Sequence, residues 1–203
     1  MKKILIAAAV AAVSVGFATG ASAGTLDNVK AKGQLVCGVN PGTGGFGVPD
    51  EKGNWTGLDV DYCRAVAAAI FNDPTKVKFV PLSSKDRFTA LASGEIDMLA
   101  RNSTWTMSRE TTLGLVWAGV NYYDGQGFMV KKSSNIKSAK ELNGATVCVQ
   151  SGTTTELNLA DYFRGTNMKF TPLVFEKLDD ATGAAIRLYR RRRSATPVPA
   201  SRD

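Results

Sequence analysis

The sequence predicts an α/β fold built from two consecutive units, each with a mostly parallel sheet. Between Gly24 and Asp180, short apolar runs typical of buried strands alternate with segments whose apolar residues recur every three or four positions, as on one face of a helix. Turn residues separate these segments. Strands that alternate with helices favour parallel pairing, because each helix carries the chain back to the start of the sheet.

The first unit has three predicted strands and three predicted helices. The strands are Leu35–Val39, Val77–Pro81 and Ile96–Ala100, and the helices are Asp59–Phe71, a segment from Ser83 to Gly94, and Thr106–Leu113. Val60, Cys63 and Ala67 share one helical face. Ser83 with Asp86 three residues later resembles a capping box. Turns are predicted over 40–45 and 54–57, which are rich in glycine and asparagine.

The second unit begins near Asp124 and continues the alternation. Its predicted strands are Phe128–Val130, Ala145–Gln150 and Lys169–Phe175, and its helices are Ser138–Leu142 and Gly152–Phe163. Ser138 is a good cap for the start of the first of these helices, and Gly144 can end that helix.

The first 23 residues predict a signal peptide that is cleaved after Ala23. Lys2 and Lys3 precede an apolar run from Ile4 to Ala18, and Ala21-Ser22-Ala23 has the A-x-A form of a cleavage site. A transmembrane anchor is the alternative, but the run is shorter than the ~20 apolar residues that a span needs. We expect export to an oxidising compartment, the periplasm in a Gram-negative host.

Composition excludes several classes of enzyme. The chain has no histidine, so it has no Ser-His-Asp triad, no Cys-His pair and no imidazole ligand for a metal. Its three cysteines, Cys37, Cys63 and Cys148, lack the CxxC spacing of zinc or thioredoxin-type sites. We expect neither a metal nor a cofactor.

The net charge of +7 comes from the two ends of the chain. Without Lys2, Lys3 and the six arginines and one aspartate of residues 181–203, the body has 17 basic and 17 acidic residues. Residues 181–203 contain four consecutive arginines and predict a disordered or out-of-frame tail. The alternative is an arm that binds nucleic acid or phospholipid, but an exported protein rarely meets nucleic acid.

A polar run from Arg101 to Arg109 directly follows a predicted strand. In open α/β sheets, ligands bind beyond the carboxyl ends of strands. Thr106 can cap the next helix, which puts Arg109 in its first turn, where a cation opposes the helix dipole unless it meets an anion. Arg109 could therefore hold a carboxylate, and Asn102 and Thr104 could supply hydrogen bonds. The alternative is a solvated turn with an ordinary surface arginine.

A second candidate, residues 150–156, also joins a strand to a helix. Free N–H groups at the helix start can bind an anion, and Gly152 permits close approach, although an ordinary threonine cap is the simpler interpretation.

Asp59 and Asp61 are acid/base candidates or, more simply, structural acids at a helix start. Aromatic residues could stack on a ligand or belong to the core: Phe46, Trp55, Trp105, Tyr122 and Tyr123.

In this order, the motifs resemble the periplasmic solute-binding proteins of polar amino-acid ABC transporters, bacterial solute-binding protein family 3. The matching segments are Gly57–Ala67, Ala90–Asp97, Thr104–Thr106, Arg109, Asn121–Gly127 and Ser151–Thr154. Two of them, Thr104–Thr106 and Asn121–Gly127, are most similar to the branch that binds L-amino acids generally. The resemblance covers Gly24 to Asp180.

The resemblance implies a type II two-lobe clamp that closes on a free L-amino acid and presents it to a membrane permease. Lobe 1 would span residues 24–121, and the hinge and a partial lobe 2 would span 122–180. Arg109 would grip the α-carboxylate with Thr154, beside Gly152. Asn102 and Thr104 would receive the α-ammonium. Phe46 and the loop around Asn40 would border the side-chain pocket. We expect a monomer that binds no nucleic acid.

The sequence departs from the family after Asp180, where a further strand with an ammonium-binding acid, a second hinge strand and C-terminal helices are expected. The chain therefore resembles a member that is C-terminally truncated or frameshifted. Cys37 and Cys63 could form a disulfide, leaving Cys148 unpaired. The alternative function is an exported enzyme on the same scaffold, of the cyclohexadienyl dehydratase type, which would need a general acid/base in the cleft.

Overall fold

A computed structural model describes residues 24–194, and the predicted signal peptide lies outside them. The first part of the chain forms helix α1 (Thr25–Lys32), strand β1 (Leu35–Val39), strands β2 (Val48–Pro49) and β3 (Trp55–Thr56), helix α2 (Leu58–Phe71), strand β4 (Val77–Pro81), helix α3 (Arg87–Ala92), strand β5 (Met98–Leu99) and helix α4 (Met107–Leu113). The segment predicted as a turn at 54–57 is thus partly a strand, because β3 pairs antiparallel with β2.

The predicted parallel sheet of the first unit is present. Strand β1 lies in the centre, with β4 on one side and β5 on the other, both parallel to it. Helix α2 covers this sheet through the spaced apolar face that its sequence predicts, since Val60, Cys63 and Ala67 are all fully buried. The predicted disulfide between Cys37 of β1 and Cys63 of α2 joins the helix to the sheet.

The second part of the chain forms two short 3₁₀ turns (Lys132–Ser134 and Ala139–Glu141), strand β6 (Ala145–Gln150), helix α5 (Thr154–Gly165), strand β7 (Phe170–Phe175) and helix α6 (Leu178–Ser194). Strands β6 and β7 pair in parallel over their whole length. The predicted helix Ser138–Leu142 is only the second of these 3₁₀ turns, and its predicted cap, Ser138, forms a complete capping box with Glu141. Leu159 and Phe163 of α5 pack in the core of this part.

The predicted strand Phe128–Val130 is not a strand in the structure. The rings of Phe128 and Phe163 lie 6.0 Å apart, edge to face, so Phe128 joins an aromatic cluster. A strand forms only beside a neighbour that takes its hydrogen bonds, and none pairs with these residues within 24–194.

The predicted disorder from residue 181 onward is wrong for residues 181–194, which are helical. Ala181 and Ala184 are three residues apart and buried, and α6 packs against β6 and β7. Asp179 and Asp180 lie in the first turn, where the helix dipole favours acids. The arginine-rich composition conceals this small apolar face. Residues 195–203 lie outside the described part. Within residues 24–194, no helix is long and apolar enough to cross a membrane.

Candidate ligand-binding site

A cavity of about 1120 Å³ lies between the three-stranded sheet and the two-stranded sheet of β6 and β7. One wall comes from the loops at the carboxyl ends of β1, β4 and β5, and the opposite wall comes from β6 and the start of α5. The irregular segment 119–131 closes a third side. This is the position where open parallel sheets bind ligands.

The loop after β1 is held in place by Asn40, which is 8% exposed. Its Nδ2 donates to Thr43 Oγ1 at 2.7 Å and to Asn102 Oδ1 at 2.8 Å. The loop thereby brings Asn40, Thr43 and Asn102 together. Thr43 and Asn102 line the cavity, whereas Asn40 is not among its lining residues. Phe46 lies at the end of this loop and lines the cavity, with its ring edge-on to Tyr122 at 5.0 Å.

Thr104 and Thr154 meet across the cavity, with their hydroxyl oxygens 3.0 Å apart. Thr104 follows β5, whereas Thr154 begins α5, so the contact joins residues 50 positions apart. Thr153 caps α5 by accepting from the backbone N–H of Glu156. The helix therefore starts two residues later than the predicted Gly152, and its first turn faces the cavity.

Gly152 lies close to the loop after β4, on the opposite side of the cavity. Its φ is +70°, and a Cβ there would lie 3.1 Å from the Ser84 carbonyl oxygen and 3.2 Å from the Lys85 backbone nitrogen. Its N–H donates to the Glu156 carboxylate at 2.9 Å. Its carbonyl oxygen accepts from Arg87 Nη2 at 3.2 Å. Only glycine combines this backbone conformation with this spacing.

Arg109 occupies the first turn of α4, as predicted, and Thr106 caps the helix by accepting from the Arg109 N–H. The Arg109 Nη1 donates to the Thr104 carbonyl oxygen at 2.7 Å, and the guanidinium carbon lies 4.9 Å from the centre of the Phe88 ring. The side chain is half-buried, and this burial lowers the pKa of Arg109. It lies beside the cavity wall, adjacent to Thr104, rather than in it.

Two further arginines, Arg87 and Arg101, line the cavity and are 2% and 7% exposed. Arg101 donates to the Ser84 hydroxyl through Nη1 at 3.3 Å and Nη2 at 3.4 Å. Sequence reasoning singled out neither, because a charged side chain is expected at the surface. The usable signal was the position of Arg101, immediately after the apolar strand residues Leu99 and Ala100.

Asp59 also lines the cavity and is 1% exposed. Its Oδ1 accepts from Asn121 Nδ2 at 3.1 Å, while its Oδ2 has no hydrogen-bond partner in the described part of the chain. Desolvation raises the pKa of Asp59, against the hydrogen bond from Asn121 and the attraction of Arg101. Asp61 instead pairs with Arg64 at the surface, so the two acids do not act together.

The chain resembles known proteins over most of its length. The family model for bacterial extracellular solute-binding proteins, family 3, matches residues 35–193. The general L-amino acid-binding periplasmic protein AapJ of Rhizobium johnstonii is 60% identical over 185 residues, which are 91% of this chain and 54% of that protein. The glutamate/glutamine/aspartate/asparagine-binding protein BztA of Rhodobacter capsulatus is 60% identical over 90% of this chain and 53% of its own length.

A solved structure gives the same result. The ABC transporter/periplasmic binding protein from Brucella ovis with glutathione bound superimposes with a TM-score of 0.78 and 61% identity, covering 83% of this chain and 53% of that one. The chain thus spans about half the length of the curated relatives it matches. With most of its length matched by the family model, the chain belongs to the bacterial extracellular solute-binding proteins, family 3.

Proposed function

We propose that the protein binds a free L-amino acid in the cavity between its two sheets and delivers it to the membrane permease of an ABC transporter. The observation that carries this proposal is the meeting of Thr104 and Thr154 across the cavity, 3.0 Å apart and beside Arg109. A ligand at this point touches residues of both walls. Contacts with both walls favour the closed arrangement of a hinged clamp.

The α-carboxylate of the ligand binds between Arg109 and the start of α5. The guanidinium of Arg109 is already positioned beside Thr104, and one of its five N–H groups is used in that contact. A small rotation offers a bidentate fork to a carboxylate. Thr154 adds its hydroxyl, and Gly152 keeps the opposite wall close enough to share the same anion.

The α-ammonium binds to oxygen acceptors on the first wall. Asn102 Oδ1 and Thr104 Oγ1 lie on the same loop, and the bond from Asn40 fixes the orientation of Asn102. Asp59 Oδ2 is a buried carboxylate oxygen on the same cavity without a partner among residues 24–194. Phe46 borders the space that remains for the side chain. The site needs no covalent step and no cofactor.

We further propose that the protein acts in the periplasm as a monomer, after removal of a signal peptide at Ala23, and that it binds no nucleic acid. The periplasmic assignment of AapJ supports the location. The range of ligands in the names of AapJ and BztA supports an amino-acid ligand. The exported-enzyme alternative has less support, since both relatives and the Brucella structure are named as binding proteins.

Thermal unfolding of the purified chain with each of the twenty amino acids tests the proposal. A ligand at one hundred times its Kd adds about 2.7 kcal/mol to the free energy of unfolding, so several amino acids should raise Tm. The variant Arg109→Ala should lose this stabilisation, whereas Arg164→Ala should keep it, because the side chain of Arg164 is exposed on α5. No rise in Tm with any amino acid would refute the proposal, and conversion of an arogenate-like substrate would favour the enzyme.

A further inference from the structure

The last part of helix α6 carries a concentrated positive charge. Residues 187–193 contain five arginines and no acid, whereas residues 24–186 contain 17 basic and 17 acidic residues. The helical backbone of α6 continues through the four consecutive arginines at 190–193 and ends at Ser194. Because a helix rises about 1.5 Å per residue, these five charges lie within about 10 Å of helix. Among residues 24–194, the excess positive charge therefore lies in this one short segment.

The acids of α6 do little to neutralise this segment. Arg187 is exposed and takes part in no ion pair among the described side chains. The acids of the helix, Asp179 and Asp180, lie in its first turn. Asp180 precedes Arg187 by seven residues, which is about 10 Å along the helix and about one Debye length at physiological salt. An external polyanion can therefore supply the missing negative charge.

The two faces of α6 differ in character. Ala181 and Ala184 are buried and mark the face that packs against β6 and β7. The helical repeat places Ile186 on the opposite face, and its side chain is 55% exposed. Residues 190 and 193, both arginines, follow Ile186 by four and seven positions, and residues at this spacing share one helix face. The face away from the sheet thus combines an exposed apolar side chain with arginine positions.

We propose that this face, defined by Ile186, Arg190 and Arg193, docks on an anionic phospholipid surface and holds the protein at a membrane. Guanidinium groups bind phosphate oxygens through paired hydrogen bonds. An exposed apolar side chain beside them can enter the boundary between the headgroups and the acyl chains. The helix dipole favours cations at this end, so the helix tolerates the arginines before it meets the membrane.

Two observations favour a membrane over a nucleic acid, the other polyanion that arginines bind. The exposed Ile186 suits an acyl boundary, whereas binding to a nucleic-acid backbone depends on neutralising its phosphates. The family to which the chain belongs is extracellular, and AapJ is named as a periplasmic protein. Proteins in that location meet phospholipid headgroups.

This inference goes beyond the proposed function and does not depend on it. Ile186 and Arg187 do not line the cavity, so a chain docked through this face can still hold its ligand there. Docking would confine the protein to the membrane surface, where a permease is located. The basic face would therefore shorten the search for the permease without taking part in ligand recognition.

Co-sedimentation of the purified chain with vesicles tests the basic face. One set of vesicles contains phosphatidylglycerol and phosphatidylcholine in equal amounts, and the other contains phosphatidylcholine alone. We expect tighter binding to the anionic vesicles, and this binding should weaken as salt is raised. Each arginine near an anionic surface strengthens binding about fivefold, so Arg190→Gln/Arg193→Gln should weaken binding by about 25-fold.

Matched variants separate the position of the charge from its amount. Arg164→Gln/Lys169→Gln removes two exposed cations outside α6 and should bind like the wild-type chain. Arg190→Lys/Arg193→Lys keeps the charge and should keep most of the affinity. Ile186→Ser should weaken binding to anionic vesicles without changing its dependence on salt. All chains share the same N-terminal residues, so the predicted signal peptide contributes equally to each measurement.

Several results would overturn the membrane surface. These are equal affinity for the two kinds of vesicle, unchanged affinity in Arg190→Gln/Arg193→Gln, and an equal loss in the variant outside α6. Tighter binding of double-stranded DNA than of anionic vesicles would assign the arginines to nucleic acid instead. If the double glutamine variant does not fold, Ile186→Ser, the lysine variant and the salt dependence of the wild-type chain still decide. Amino-acid binding should be the same in all these variants, so its absence would contradict the proposed function alone.

Discussion

Replacement of Gly152 by alanine should separate the two walls of the cavity. Gly152 has φ +70°, a conformation that costs an L-residue roughly 1–2 kcal/mol. Its new Cβ would also lie 3.1 Å from the Ser84 carbonyl oxygen and 3.2 Å from the Lys85 nitrogen, both backbone atoms that cannot turn aside. The hydrogen bond from Arg87 to the Gly152 carbonyl oxygen would lengthen as the Gly152 loop moves away from Ser84 and Lys85.

Gly144→Ala is the matched control, because Gly144 has φ +76° but open space where the Cβ would be. At about 2–4 °C per kcal/mol, the backbone penalty alone should lower Tm by about 2–8 °C in both variants. Gly152→Ala should lower it further and should also weaken ligand binding in calorimetry, whereas Gly144→Ala should leave affinity unchanged. Equal effects of the two variants on Tm and on affinity would refute the close contact between the walls.

Two more predictions concern the first sheet and the buried acid. The Cys37–Cys63 disulfide closes a loop with a sequence separation of 26, and its loss should cost about 3 kcal/mol of stability. Calorimetry of the Cys37→Ala/Cys63→Ala variant should therefore show a Tm lower by about 6–12 °C. An unchanged Tm would show that the bond adds no stability. Asp59→Asn should raise the free energy of urea unfolding at pH 7.5, because the raised pKa of Asp59 means that ionisation of the buried carboxyl opposes folding. This gain should shrink as pH falls from the raised pKa of Asp59 towards its unfolded value, since the native carboxyl is then protonated and its ionisation no longer opposes folding. A gain that is independent of pH would contradict it.

Features that depend on local sequence were predicted well. The buried face of α2 follows from the spacing of Val60, Cys63 and Ala67, and the cap of α4 follows from Thr106 just before the helix. Periodicity and capping involve residues a few positions apart, so the sequence contains most of the information needed.

Features that depend on distant neighbours were missed. The strand expected at Phe128–Val130 needs a pairing partner. Helix α6 needs the sheet against which Ala181 and Ala184 pack, and the nearby run of arginines conceals these two apolar residues in the sequence. The buried arginines were missed for the same reason. No residue pattern near Arg87 in the sequence indicates that its side chain lies between Phe88 and the loop of Gly152.

The structure places the site residues suggested by the sequence in one region, although Asn40, Gly152 and Arg109 lie beside the lining of the cavity rather than in it. Within this group, Asn40 bonds to Asn102 on the first wall, and Thr104 bonds to Thr154 across the cavity. Arg109 is adjacent to that group but is directed at a backbone carbonyl, so its proposed role requires a rotation towards the ligand. Chain order can place residues at the ends of strands, but side-chain rotamers depend on the surrounding structure.

Titration with blocked ligands tests the central claim most directly, because the proposed site recognises both charged groups of a free amino acid. Calorimetry should compare L-glutamine with its α-methyl ester and with N-acetyl-L-glutamine. We expect saturable one-to-one binding of free L-glutamine and a loss of affinity of at least about tenfold for each blocked form, since each loses a charged hydrogen bond. Binding of either blocked form as tight as that of the free amino acid would contradict the account.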